Sequence, residues 1–258
     1  MLWLFNGLRR RWVLARSDTR ADTWGAAWRS LPVLRGFSGD QAQRLRELGT
    51  LFLAEKSLEA LNSLELGADM RRELALQACL PVLALDLDWY EGWFSVVLYP
   101  DAFVSEMEQR DAAGVVHRYR EARSGESWER GPLVLSWADA QRGHNLDGSN
   151  VVIHECAHKL DGLNGTTNGH PPLHRGMSPA AWSDAFGTAY EDFQRRVDWG
   201  EPLPISSYGA KSPAEFFAVL SEAFFEIPRA IVDSYPAVYQ QMKLFYRQDT
   251  LGRLGLQT

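Results

Sequence analysis

Hydrophobic residues recur at helical spacing over much of the chain. Residues 37–61 show this pattern, and Ser38 can cap the first turn of the predicted helix. Residues 67–85 repeat it, with Asp69 as the predicted N-cap and Pro81 as a break or kink. Four more helices are predicted, over residues 149–162, 178–197, 212–228 and 234–249. Ser149 or Asn150 can cap the first of these and Gly162 can end it, while Ser178 and Ser212 can cap the second and third.

Two short segments have the composition of β-strands instead. Residues 92–100 and 131–137 are rich in Val, Leu and aromatic residues and are bounded by Gly or Pro. The polar segment 101–130 between them predicts loops and a hairpin. Helices therefore dominate, with a small sheet before the helix of residues 149–162. This order predicts an α+β fold rather than an alternating β/α one.

Composition narrows the class of protein. The chain has 258 residues, of which 45% are hydrophobic and 23% charged, as in ordinary globular proteins. Its net charge of −6 argues against a general nucleic-acid binder. No run approaches the ~20 apolar residues of a membrane span. With only two cysteines, Cys79 and Cys156, a reducing compartment fits, and we predict a cytoplasmic protein.

The stretch VVIHECAHKLDG, residues 151–162, contains the clearest chemical pattern. His154 and His158 are four residues apart, so both imidazoles leave the same face of a helix and can meet one metal ion. Glu155 is adjacent, where it can reach a water without being a ligand. This H-E-x-x-H arrangement is typical of zinc hydrolases. The alternative is a buried helix whose histidines only hydrogen-bond to neighbours.

A catalytic zinc usually has three protein ligands, so a third must come from elsewhere. Asp161 lies one turn past the second histidine, but its short side chain is better suited to orienting an imidazole. His170 and His174, in the loop that follows, remain open as candidates.

Glu215, in the segment SYGAKSPAEFFAVLSEAFF, is the better candidate for the third ligand. Its spacing from Ser212 also fits a capping box, which would give the same glutamate a purely structural role. Glu222 lies seven residues further on the same helix face. Spacing alone favours neither glutamate over the other as the third ligand.

A family resemblance decides this choice. The segments NVVIHECAHKLD, SYGAKSPAEFFAVLSEAFF, LPVLALDLDWYEGW and GPLVLSW together resemble the Mlc titration factor A family of bacterial zinc peptidases, which is similar to the catalytic domain of anthrax lethal factor. The resemblance implies that His154, His158 and Glu215 bind one zinc ion per chain. It also implies that Glu155 is the general base and that the hydroxyl of Tyr208 faces the metal. Without it, Tyr208 would be interpreted as an aromatic residue packed at the surface.

The resemblance also implies a zincin-like fold and a function. We expect a helical N-terminal part, residues 1–75, packed on a catalytic region, residues 76–258, in one compact unit. The expected activity is that of a gluzincin-type zinc metallopeptidase, aminopeptidase-like, acting on peptides. The expected protein partner is the Mlc transcriptional repressor, with no direct binding of nucleic acid. The alternative is a non-catalytic protein that titrates the repressor and has a structural or vestigial zinc site.

Overall fold

The chain forms a mostly helical α+β fold with a small sheet, as predicted. The computed structural model describes residues 2–110, 116–123, 125–127 and 131–256, with side chains over 6–102 and 131–256. The helices are α1 Leu2–Arg16, α2 Ala21–Ser30, α3 Gly39–Glu55, α4 Ala68–Cys79, α5 Trp137–Ala140, α6 Val151–Asp161, α7 Pro179–Asp198, α8 Pro213–Glu226, α9 Pro228–Ser234, α10 Pro236–Tyr246 and α11 Thr250–Arg253. The strands are β1 Ser57–Ala60, β2 Ser95–Tyr99, β3 Phe103–Arg110, β4 Val116–Arg123, β5 Gly125–Ser127 and β6 Leu133–Ser136.

The main sheet has the strand order β1-β2-β6-β5. Strands β1, β2 and β6 are parallel, whereas β5 pairs antiparallel with β6 and forms the edge. Val96 pairs with Leu133 and Leu98 with Leu135, and all four side chains are buried. Strands β3 and β4 pair antiparallel with each other, which confirms the predicted hairpin. Its connecting residues 111–115 lie outside the described residues.

The predicted helix over residues 37–61 is wrong at its C-terminal end. Ser38 caps α3 through a capping box with Gln41, as expected, but α3 ends at Glu55 and a strand follows. The Ser57 backbone N–H donates to the Phe94 carbonyl, 2.9 Å away, at the start of β2. Pairing with a strand almost forty residues away thus overrides the helix propensity of the segment.

The predicted N-cap of α4 is also wrong. Gly67 precedes this helix, and no side chain caps it. Asp69 lies within the first turn and accepts from Arg72 at 2.8 Å, where its charge also suits the positive end of the helix. The predicted boundary between the N-terminal part and the catalytic region, at residue 75, falls inside α4. This division into two parts stays a prediction.

Helix α8 is buried from Phe216 to Glu226. Four of its residues are phenylalanines that pack on aromatic residues of α7 and α10, including Trp182 and Tyr246. Burying one such ring stabilises the fold by about 1.5–3 kcal/mol, against about 1 kcal/mol for an N-cap. Packing therefore holds α8 in place, and its cap at Ser212 decides where it begins.

Helix α6 lies between this aromatic core and the sheet. It packs against α8 and α4, and also against β5 and β6. Lys159 ties its last turn to the start of β6, because its Nζ donates to the Gly131 carbonyl at 2.9 Å. Over the described residues, none of the helices is both long and apolar enough to cross a membrane.

Candidate metal centre

Helix α6 presents its two histidines on one face because they are four residues apart, and a side-chain cap fixes where the helix begins. Asn150 is the N-cap, and its Oδ1 accepts from the Ile153 backbone N–H at 3.1 Å. His154 and His158 follow one turn apart, with ring centroids separated by 4.9 Å. Gly162 follows the last helical residue, as predicted.

Helix α8 brings Glu215 to these histidines. Ser212 caps α8 by accepting from the Glu215 backbone N–H at 3.2 Å. The Glu215 carboxylate does not complete a capping box. Its Oε2 lies 3.0 Å from His154 Nε2 and 3.3 Å from His158 Nε2. The backbone and the side chain of Glu215 therefore have separate roles.

These three side chains fit a metal ion. His154 Nε2 and His158 Nε2 are 3.2 Å apart, so the three ligand atoms form a nearly equilateral triangle. Ligand atoms at ~2.0–2.1 Å from a tetrahedral zinc are roughly 3.3 Å from one another. Among the described residues, His154, His158 and Glu215 are the group of metal-binding side chains close enough to share an ion.

Glu222 supports the other side of His154. Its Oε1 lies 2.7 Å from His154 Nδ1, and an ionised carboxylate can only accept, so Nδ1–H donates to it. This fixes the ring and directs Nε2 toward Glu215. Burial opposes charge on the imidazole, but Glu222 and Glu215 outweigh it and raise the pKa of His154 well above its usual value. Glu222 thus orients a histidine and lies outside the triangle.

Glu155 is a buried carboxylate beside the histidines. Only 5% of its surface is exposed, and its Oε2 has no hydrogen-bond partner within the described part of the chain. Burial raises its pKa above the usual value for a glutamate. A buried acceptor without a hydrogen-bond partner lowers the stability of the fold, and such groups often have a catalytic role. This oxygen is therefore a candidate proton acceptor.

Tyr208 is a partly exposed residue beside the same group. It is 38% exposed, in a short 3₁₀ turn that packs on α8. Its ring centroid is 6.0 Å from that of His154. The structure therefore brings the Tyr208 ring next to His154, and the prediction that its hydroxyl faces the metal stays a prediction.

The other candidates for a third ligand have different partners. Asp161 accepts the Gly169 backbone N–H at 2.7 Å and so pins the following loop to α6. His174 Nε2 lies 2.7 Å from the Phe245 carbonyl, and the His170 ring packs against Trp182. None of the three joins the His154–His158–Glu215 cluster.

Sequence reasoning missed a third carboxylate on α8. Glu226 is buried, and it accepts from Asn150 Nδ2 at 2.9 Å and from the Gly148 backbone N–H at 3.0 Å. Burial raises its pKa to about 8. A signal was present, because Glu222 and Glu226 are one turn apart in an otherwise apolar segment and buried acids need partners.

Comparison with known proteins gives the family. A family model described as glucose-regulated metallo-peptidase M90 matches residues 5–247. The chain belongs to this M90 family. The resemblance noted in the sequence is thereby confirmed, and membership of a metallopeptidase family implies a metal ion.

Several M90 relatives have the name Mlc titration factor A. The one from Cronobacter sakazakii is 41% identical over 235 residues, which are 90% of this chain and 88% of that protein. The one from an Enterobacter species is 38% identical over 249 residues, covering 95% and 94% of the two chains. The one from Escherichia coli is 39% identical over 227 residues, covering 87% and 86%.

Proposed function

We propose that the protein is a zinc-dependent peptidase of the gluzincin type, with His154, His158 and Glu215 as the ligands of one zinc ion. The observation that carries the proposal is the triangle of ligand atoms, 3.0–3.3 Å on each side. Two imidazoles and one carboxylate are a donor set found in catalytic zinc sites, which keep a further position open. When bound, the ion would supply a water of lowered pKa and a Lewis acid for the peptide carbonyl.

Glu155 is the general base and then the general acid in this proposal. Its buried carboxylate takes a proton from the attacking water and delivers it to the leaving amine nitrogen. The oxygen without a partner is the atom we assign to this transfer.

Tyr208 donates a hydrogen bond to the carbonyl oxygen as it gains negative charge. Its partial exposure and its position beside His154 support this role. We expect Tyr208→Phe to lower kcat by roughly 10²-fold with little change in KM, because the bond forms mainly in the transition state. Steady-state kinetics on a peptide substrate test this. An unchanged kcat would show that the hydroxyl takes no part.

Removal and return of zinc test the proposed activity directly. We expect a chelator to abolish peptide hydrolysis and added zinc to restore it, because the ion activates the water. Elemental analysis of each sample links activity to metal content. Matched peptides with free and acetylated amino ends test the aminopeptidase character, which rests on the family resemblance. Hydrolysis that persists in fully metal-free protein would contradict the proposal.

A second function, titration of the Mlc repressor, is favoured by the names of the relatives. The protein would then be a cytoplasmic enzyme whose substrates are peptides and whose protein partner is the repressor. The alternative form of this proposal is a titrating protein without catalysis. Repressor binding that survives the loss of the zinc ligands would favour a docking surface away from the metal.

A further inference from the structure

Two carboxylates of α8 hold the chain just before α6. Glu222 accepts from the backbone N–H of Asn150, and Glu226 accepts from the backbone N–H of Gly148. The two glutamates are four residues apart, so they lie one above the other on the helix. The start of α6 is thus attached to α8 at two successive points.

Asn150 is the residue at which these attachments meet. Its side chain is fully buried, and its Nδ2 donates both to Glu226 Oε1 at 2.9 Å and to Gln77 Oε1 of α4 at 3.0 Å. Its Oδ1 caps α6. A Cβ added at Gly143 would collide with the Asn150 and Gln77 amides, so the glycine backbone packs directly on them. All the hydrogen-bonding groups of Asn150 are therefore used.

This network reaches the proposed zinc ligands through Glu222. One oxygen of Glu222 accepts from the Asn150 backbone, and the other accepts from His154 Nδ1. Glu215 lies two turns earlier on the same α8. The position of α6 along α8 therefore decides whether the histidines meet Glu215 at ~3 Å, and a shift of one ångström would spoil the triangle.

We propose that Glu226 and Asn150 are positioning residues, which set the metal affinity of the His154–His158–Glu215 cluster by fixing the start of α6 on α8. The inference rests on the proposed zinc site and extends it to residues that do not touch the ion. Residues one step removed from ligands typically change metal affinity 10–100-fold when substituted. Glu226 is separated from the ligand His154 by Asn150 and Glu222, but it helps to fix the position of the whole of α6.

The test is zinc affinity, measured by chelator competition on Glu226→Gln above pH 8, where the carboxylate of wild-type Glu226 is ionised. The amide of glutamine has nearly the same shape as the carboxylate. Its NH₂ group, however, must face another donor, either the Nδ2–H of Asn150 or the backbone N–H of Gly148. We expect zinc affinity to fall at least 10-fold. Melting of the zinc-free protein is measured in parallel. If this variant does not fold, Asn150→Ser removes the same side-chain bond and keeps the cap.

Ser221→Ala is the matched control. Ser221 is buried on α8 beside Glu222, but its hydroxyl bonds to the Phe217 carbonyl and to Tyr246. We expect this variant to lower the melting temperature and leave zinc affinity unchanged. A role of Glu226 in stability alone predicts the same behaviour for both variants. Equal affinity of Glu226→Gln and wild type would overturn the inference.

The double variant Asn150→Asp/Glu226→Gln tests the network itself. The aspartate still caps α6, and its second oxygen accepts from the new amide at position 226, whose carbonyl accepts from Gly148. Gln77 can turn its own amide to donate to the aspartate. We expect most of the lost zinc affinity to return, and a double variant as weak as Glu226→Gln would count against the network. Wild-type protein that binds no zinc would overturn the proposed function and this inference together. Wild-type protein that binds zinc no more tightly than Glu226→Gln would overturn this inference alone.

Discussion

We expect Glu155→Gln to keep its zinc and to lose peptide turnover, by roughly 10²–10⁴-fold in kcat. The reason is that an amide is as large as the carboxylate but cannot accept the proton from water. The substitution disturbs little else, because Glu155 Oε2 has no partner among the described residues that an amide would displace. Kinetics on a peptide substrate and elemental analysis of the same samples measure both halves of the expectation.

Glu191→Gln is the control for Glu155→Gln. Glu191 is an exposed residue of α7, so we expect wild-type turnover from this variant. Full activity in Glu155→Gln would remove Glu155 from the mechanism. Loss of zinc from it would give Glu155 a role in metal binding instead, contrary to its place outside the His154–His158–Glu215 cluster.

The same variant separates the two proposed functions. A peptidase whose biological effect needs catalysis loses that effect with Glu155→Gln. A protein that only titrates the repressor keeps it, because the fold and the zinc site are intact. Comparing repressor binding and peptide hydrolysis in Glu155→Gln therefore assigns the effect to one function or the other.

Local chemistry made much of this site predictable from the sequence. Asn150, Ser178 and Ser212 cap α6, α7 and α8 because each offers a short side-chain acceptor just before an apolar run. The spacing of His154 and His158 places both rings on one face once the helix exists. These inferences need only a few consecutive residues, and the structure agrees with them.

Contacts between distant segments were not predictable in this way. Spacing alone could not choose between Glu215 and Glu222, because both lie on the same face of α8. The choice depends on where α6 crosses α8, which Glu226 and Asn150 fix through buried bonds. The strand at Ser57–Ala60 is a similar case, since its partner β2 lies almost forty residues away.

Glu215→Ala is expected to lose most of its zinc and nearly all of its activity. The variant keeps the backbone N–H that donates to Ser212, so the cap and the start of α8 survive. Alanine also favours a helix. The loss should therefore come from the missing ligand, and it should exceed the 10–100-fold effect typical of residues that only support a ligand.

Zinc per chain in wild type and Glu215→Ala, purified together, measures this effect, with Glu191→Ala as the control for the loss of a carboxylate. We expect about one zinc in wild type and in the control, as for a single catalytic site. Melting of the metal-free proteins shows whether Glu215→Ala still folds. A folded variant that holds a full zinc ion would mean that another side chain completes the site. Glu222 would be the first to examine, because it already contacts His154.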